Sequence, residues 1–166
     1  IKNGYYLYRD ANQWFGFPES LESAPYMYDV AGFNEISEPI PNGLTNTVGM
    51  FNGCYNLTSI PSDIDLSNCT NASGMFSYCF NLTTIDSNFL KTAKPGIDIS
   101  EMFNYCNNLV EITGVMDLSN CKYAYSMFEH CTNLTTVDFN FIKTLKPGAY
   151  IVEMFNNCPN LICNDI

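Results

Sequence analysis

Eight cysteines and a single histidine are the residues of this 166-residue chain whose types invite chemistry. A thiolate nucleophile needs a base beside it, and a zinc site needs Cys and His ligands at short spacings. The sequence contains no Cys-x-x-Cys, and its one histidine, His130, adjoins Cys131 in Glu129-His130-Cys131. Neighbouring side chains on a helical turn point apart, so His130 is expected on the surface and Cys131 in the core. The carboxylates do not converge either. Asp65 with Asp117, and Asp86 with Asp138, sit at equivalent places two copies of a repeated segment apart. Stacked copies would hold each pair about 10 Å apart, too far to share a calcium ion or a proton without further ligands. No catalytic residue, metal site or cofactor is therefore expected, and the chain is not expected to be an enzyme.

The cysteine positions show a different order. Met-Phe-x-x-Cys recurs at Met50 to Cys54, Met75 to Cys79, Met102 to Cys106, Met127 to Cys131 and Met154 to Cys158, in steps of 25, 27, 25 and 27 residues. Asn-Leu follows each time one residue later, from Asn56-Leu57 to Asn160-Leu161. Short copies carry Asp-Leu-Ser-Asn-Cys (Asp65 to Cys69, Asp117 to Cys121), and long copies carry Lys-Thr-x-Lys-Pro-Gly (Lys91 to Gly96, Lys143 to Gly148). One short and one long copy make a unit of 52 residues, and segments too small to bury their own apolar side chains are expected to cover one another.

The elements that would position these residues follow from pattern. Asn-Leu-Thr-Thr-Ile, bounded by turn formers, predicts a short strand. Met-Phe-x-x-Cys predicts a single helical turn with Met, Phe and Cys on its inner face, and Glu101 and Glu153 suit its N-terminus. Pro95-Gly96 and Pro147-Gly148 mark corners. The expected fold is a leucine-rich-repeat-like solenoid of short parallel strands alternating with single-turn helices, over residues 43–166. Residues 1–42, rich in Tyr, Phe and the only Trp, are expected to form a non-repeat aromatic cap on its N-terminal end. Asn160-Leu161-Ile162-Cys163 would begin another strand, and a chain opening on Ile1 reads as a processed form or fragment.

In that arrangement Phe51, Phe76, Phe103, Phe128 and Phe155, with Cys54, Cys79, Cys106, Cys131 and Cys158, form a core ladder. Side-by-side thiols pointing the same way are poor disulfide geometry and good apolar packing. Cys69 and Cys121 align with Ala93 and Leu145 of the long copies, which suggests a packing slot. Disulfides Cys69–Cys79 and Cys121–Cys131 stay open as alternatives. The variable strand positions, Thr58, Ser59, Thr83, Thr84, Val110, Glu111, Thr135 and Thr136, form the candidate binding face, read either as a ligand surface or as solvated β-formers. Exposed Trp14 and Phe15 could serve the same end. Asn-x-Ser/Thr sequons at Asn56, Asn68, Asn71, Asn81 and Asn133 fall out of the repeat, where Asn is expected to bond backbone at corners.

Charge narrows the partners. The formal net charge is -10, with 14% charged and 46% hydrophobic residues. That excludes disorder and argues against nucleic acid, which a basic stripe must bind. No apolar run approaches the roughly 20 residues of a membrane span, so direct membrane insertion is not expected.

Met-Phe-x-x-Cys-x-Asn-Leu-Thr-x-Ile joined to Asp-Leu-Ser-Asn, over about residues 43–166, resembles the BspA-type leucine-rich repeats of bacterial surface proteins. The Lys-Pro-Gly copies are less regular than that family's usual repeat. The resemblance implies an extracellular or cell-surface interaction module, adhesin-like, binding protein or glycan on another cell or particle. The alternative expectation is a virion or filament component that assembles with further copies of itself through its open edge.

Overall fold

The computed structural model describes residues 5–162. Strand is scarce in it: β1 (Thr84–Asp86), β2 (Ile97–Asp98), β3 (Glu111–Thr113) and β4 (Cys121–Tyr123). β1 pairs with β3 and β2 with β4, both parallel, and the second pair shifts register between Ile97 and Asp98. Two 3-10 helices, Ser87–Thr92 and Phe139–Thr144, complete the regular structure, and no α-helix occurs among the described residues. The expected leucine-rich-repeat-like solenoid, with strands alternating with single-turn helices behind an aromatic cap, is therefore not the architecture. The molecule is mostly turns and irregular backbone with two small two-stranded sheets.

The reason lies in the sign of φ. In Gly49-Met50-Phe51-Asn52-Gly53 the outer residues have φ +54° and +68°. The same places are left-handed at Gly74 and Tyr78, Glu101 and Tyr105, Ser126 and His130, and Glu153 and Asn157. A left-handed residue at each end prevents a right-handed helix from forming. Glu101 and Glu153, expected at helix N-termini, are themselves left-handed, at +58° and +59°. Alternate N–H groups of each turn instead reach the next sequence copy. Phe51 N donates to Met75 O (2.9 Å), Phe76 N to Met102 O (2.9 Å), Phe103 N to Met127 O (2.9 Å) and Phe128 N to Met154 O (2.8 Å). Glu101 N and Tyr105 N donate to Tyr125 O and Glu129 O, both at 2.9 Å. These bonds offset a conformation that costs a non-glycine residue about 1–2 kcal/mol.

Polar side chains set the corners. Asp86 and Asp138 accept from Asn88 N and Asn140 N at 2.9 Å and start the two 3-10 helices. Asp65 and Asp117 accept likewise from Ser67 N and Ser119 N. The long–short alternation has a physical joint: Thr92 Oγ1 accepts from Leu66 N (2.9 Å) and Thr144 Oγ1 from Leu118 N (3.0 Å). Ser23, Asn46, Asn71 and Asp98 lie in one line of parallel bridges, and the last three side chains each accept the N–H two residues on. Sequon residues Asn56 and Asn68 donate to Gly32 O and Asn42 O.

The aromatic N-terminal segment joins the same packing: Tyr28 stacks on Phe51 (5.6 Å between centroids), Tyr8 on Tyr28 (5.0 Å) and Phe15 on Tyr8 (5.3 Å). One continuous buried core runs from Leu21 to Met154.

Gly49 is the glycine this packing requires. A Cβ there would run into the Tyr26 ring, whereas one on Gly74 would meet only Ser77 Cβ at 3.9 Å. Both have positive φ, so Gly74→Ala carries the backbone cost alone, about 1 kcal/mol. Gly49→Ala adds displacement of a ring and is expected to cost about 2–3 kcal/mol in urea unfolding. Equal effects would show that the Tyr26 contact is irrelevant.

Candidate functional site

Two columns run through the core. Phe51, Phe76, Phe103, Phe128 and Phe155 stack with successive centroids 5.4, 5.6, 5.6 and 5.5 Å apart and ring planes within 8° of parallel. The first four rings are fully buried and Phe155 is half-buried. Beside them each marker cysteine donates its thiol to the carbonyl of the aromatic residue one copy earlier. Cys54 Sγ reaches Tyr28 O (3.2 Å), Cys79 reaches Phe51 O (3.3 Å), and Cys106 reaches Phe76 O (3.3 Å). Cys131 reaches Phe103 O (3.3 Å) and Cys158 reaches Phe128 O (3.1 Å). A small apolar side chain with one weak donor fits a buried carbonyl better than alanine, which lacks the donor.

Burial pushes the Cys54, Cys106 and Cys121 thiols up to about 12, and raises those of Cys79 and Cys131 well above their ordinary value too. Protonated and enclosed, they are neither nucleophiles nor ready metal ligands at neutral pH. No group of three His, Cys, Asp or Glu able to hold a metal occurs among the described residues. All seven described cysteines are free, so the Cys69–Cys79 and Cys121–Cys131 bridges do not form; Cys163 lies outside the described residues. Cys121 pairs in backbone register with Ile97, so its long-copy counterpart is Ile97, not Ala93.

His130 and Cys131 separate as neighbours should. The thiol points in to Phe103 O, while the half-buried imidazole stacks on Tyr105 with centroids 4.1 Å apart. Tyr105 stacks in turn on Tyr78 (4.7 Å, 8°), and Phe80 meets Tyr78 edge-on at 6.1 Å. His130 Nε2 lies 3.3 Å from Asn157 Nδ2 and 3.8 Å from Glu129 Oε1. This outer column occupies the place just before the three middle marker cysteines, where Tyr78, Tyr105 and His130 are legible as equivalent aromatic positions; Gly53 and Asn157 stand there in the first and last copies.

The variable positions follow a few residues later in each copy. Seven of the eight are exposed and Thr135 is half-buried. Backbone pairing brings six together: Thr84 with Glu111 and Glu111 with Thr136 in parallel register, and Val110 N to Thr83 O (2.9 Å) and Thr135 N to Val110 O (3.0 Å) beside them. Thr58 and Ser59 are not joined to this patch by backbone hydrogen bonds; Thr58 N and Oγ1 turn to Asn34 O.

The matched sequence spans residues 22–141, about the stretch from the Tyr28 turn to the second 3-10 helix. The chain belongs to the family described as Mycoplasma protein of unknown function, DUF285. No curated protein and no solved structure matches it. The DUF285 match begins inside the segment read from sequence as a cap. There Met27-Tyr28-Asp29-Val30-Ala31 is a degenerate marker, with Tyr for Phe and Ala for Cys, and Leu7-Tyr8-Arg9-Asp10-Ala11 a further one. Their hydrogen bonds follow the same rule: Tyr8 N to Met27 O (2.7 Å) and Tyr28 N to Met50 O (2.8 Å). No helix among the described residues is long and apolar enough to cross a membrane.

Proposed function

We propose that the protein is a non-enzymatic interaction module, acting outside the cell or at its surface, that binds a protein or glycan partner. The observation that supports it is the outer column of Tyr78, Tyr105 and His130 with Phe80, carried on the same copies as the paired Thr83–Thr84, Val110–Glu111 and Thr135–Thr136 rows. Tyr78 and Phe80 are 41% and 39% exposed, and neither belongs to the buried core. Aromatics with a polar edge, pre-ordered by stacking, lose little entropy on binding, and hydroxyl rows supply directional contacts. The resemblance of the marker segments to repeats of bacterial surface proteins favours the same reading. Separation of the His130 ring from the Cys131 thiol favours binding over catalysis.

The test is binding of the purified protein to a glycan array and to immobilised extracellular-matrix proteins. At least one ligand is expected to bind wild type and to lose tenfold or more in Tyr78→Ser/Tyr105→Ser, at about 1–2 kcal/mol per lost anchor. Tyr55→Ser, a 43% exposed tyrosine elsewhere, should leave that ligand bound. Absence of any wild-type ligand, or binding indifferent to the double variant, overturns the proposal. Light scattering that shows self-association in place of ligand binding would favour assembly instead.

A further inference from the structure

Cations are sparse and segregated. Of the seven Lys and Arg residues, Lys91, Lys94, Lys122, Lys143 and Lys146 fall in the later copies, and residues 10–90 contain none. Three successive layers stack at the Lys-Pro-Gly corners. Gly96 N donates to Asn120 O (2.8 Å) and Tyr150 N to Lys122 O (2.9 Å), so the 95–96 corner, the 119–122 segment and the 146–149 corner lie side by side. Between them is a cavity of about 460 Å³, walled by Lys122 and Lys146, with Ser119 and Asn120 as neutral polar groups and Pro95 and Pro147 as apolar faces. No Asp or Glu among the described residues lines it.

No described carboxylate pairs with either ammonium group. Lys146 Nζ is 3.4 Å from Asn120 Oδ1, Lys122 Nζ sits 5.0 Å above the Tyr123 ring, and neither forms an ion pair among the described residues. In a chain of net charge -10, two cations around a cavity with no carboxylate among its described lining residues are a local reversal of sign. Asp117 accepts from Ser119 N at the cavity's margin, and charges beyond roughly 8 Å are screened at physiological salt, so a small anion in the cavity responds to the two lysines and to this one carboxylate rather than to the whole protein. Proline faces suit the C–H surface of a ring, while the hydroxyl and amide suit its substituents.

We propose that this cavity binds a sugar residue carrying an oxyanion, a sulfate ester of a glycan, held between Lys122 and Lys146. The site is separate from the outer aromatic column and does not depend on its role. The oxyanion chemistry is shared with free inorganic sulfate, which has no ring to pack against Pro95 and Pro147.

The test is calorimetric titration of the full chain with a disaccharide bearing one sulfate ester, with its unsulfated counterpart and with sodium sulfate. The sulfated disaccharide is expected to bind and to weaken about fivefold in Lys122→Gln and in Lys146→Gln, the scale of one exposed charge contact. Raising salt from about 50 to 200 mM should weaken it further. Lys91→Gln, outside the cavity, should leave the affinity unchanged, and an unchanged thermal midpoint in each exposed-lysine variant rules out unfolding as the cause. Millimolar sulfate that competes supports the site. Failure of the sulfated disaccharide to bind, equal binding of the unsulfated one, indifference to both glutamine variants, or inorganic sulfate binding as tightly as the disaccharide each overturns the proposal.

Discussion

Phe103→Ala is expected to destabilise the protein by about 4 kcal/mol, within the range for truncating a fully buried phenylalanine. Its ring is 0% exposed, stacks on Phe76 and Phe128 at 5.6 Å on each side, and meets the Phe89 edge at 6.5 Å. Alanine removes the apolar burial, both stacking contacts and the filler of a space that backbone hydrogen bonds on either side keep from collapsing. Total stability of such a domain is about 5–15 kcal/mol, so the change is a large fraction of it. A midpoint drop of about 12 °C follows for a chain of this size. Phe155→Ala tests the same contact at the end of the column, where the ring is half-buried and stacked on one side only. It is expected to cost about half as much. Should Phe103→Ala prove too unstable to purify, Phe103→Leu, at about 1–1.5 kcal/mol, keeps the comparison open. Matching losses at 103 and 155 in urea titrations would show that neither full burial nor two-sided stacking sets the cost.

These two positions also show what the sequence does and does not carry. A fixed Met-Phe-x-x-Cys spacing is visible without coordinates, because equivalent residues at steps of 25 and 27 demand equivalent surroundings. The backbone between them is not visible in that spacing. Met, Phe and Cys within five residues satisfy a helical face, but they satisfy equally a turn with left-handed residues on both flanks. Gly at 49, 53 and 74 hints at the second, while Glu101, Tyr105 and His130 hide it, since such residues seldom adopt positive φ. Pattern alone therefore predicted helical turns and the strand–helix solenoid, and cross-copy hydrogen bonding gave turns. The degenerate markers at Tyr8 and Tyr28 were masked by side-chain chemistry: Tyr replaces Phe and Ala replaces Cys, yet the ring column continues through them. The outer column at Tyr78, Tyr105 and His130 was legible as an aromatic recurrence, but only the 4.7 and 4.1 Å stacking makes it a surface. The lysine-lined cavity lay beyond pattern altogether, because it depends on which corners of distant copies become neighbours.

Alkaline pH should unfold this protein in the range where lysines titrate and well below that of arginine. Burial holds Cys54, Cys106 and Cys121 up to about 12 from an ordinary 9, and raises Cys79 and Cys131 in the same direction. Below pH 9 the thiols are protonated in both folded and unfolded chains, and their contribution is constant. Between 9 and 12 the unfolded chain releases these protons and the folded chain keeps them. Fewer protons on the unfolded state mean that stability falls as pH rises, by about 1.4 kcal/mol per pH unit for each thiol. Cys54, Cys106 and Cys121 acting together give a loss of about 4 kcal/mol per unit, and Cys79 and Cys131 add in the same direction, so an ordinary domain's stability would be exhausted by about pH 11. Tyr28, also raised by burial, adds in the same direction above 10. The measurement is urea unfolding at several pH values from 7 to 10.5 under reducing conditions, followed by far-ultraviolet circular dichroism. Replacing Cys54 and Cys106 together by alanine forfeits two thiol–carbonyl bonds and lowers stability at pH 7. It should also flatten the alkaline slope by about 3 kcal/mol per unit. That opposite sign, weaker at neutral pH yet less sensitive to base, is what simple loss of packing cannot produce. A stability curve level from pH 8 to 10.5 would mean that the thiols ionise inside the folded protein, and the sealed cysteine column would have to be abandoned.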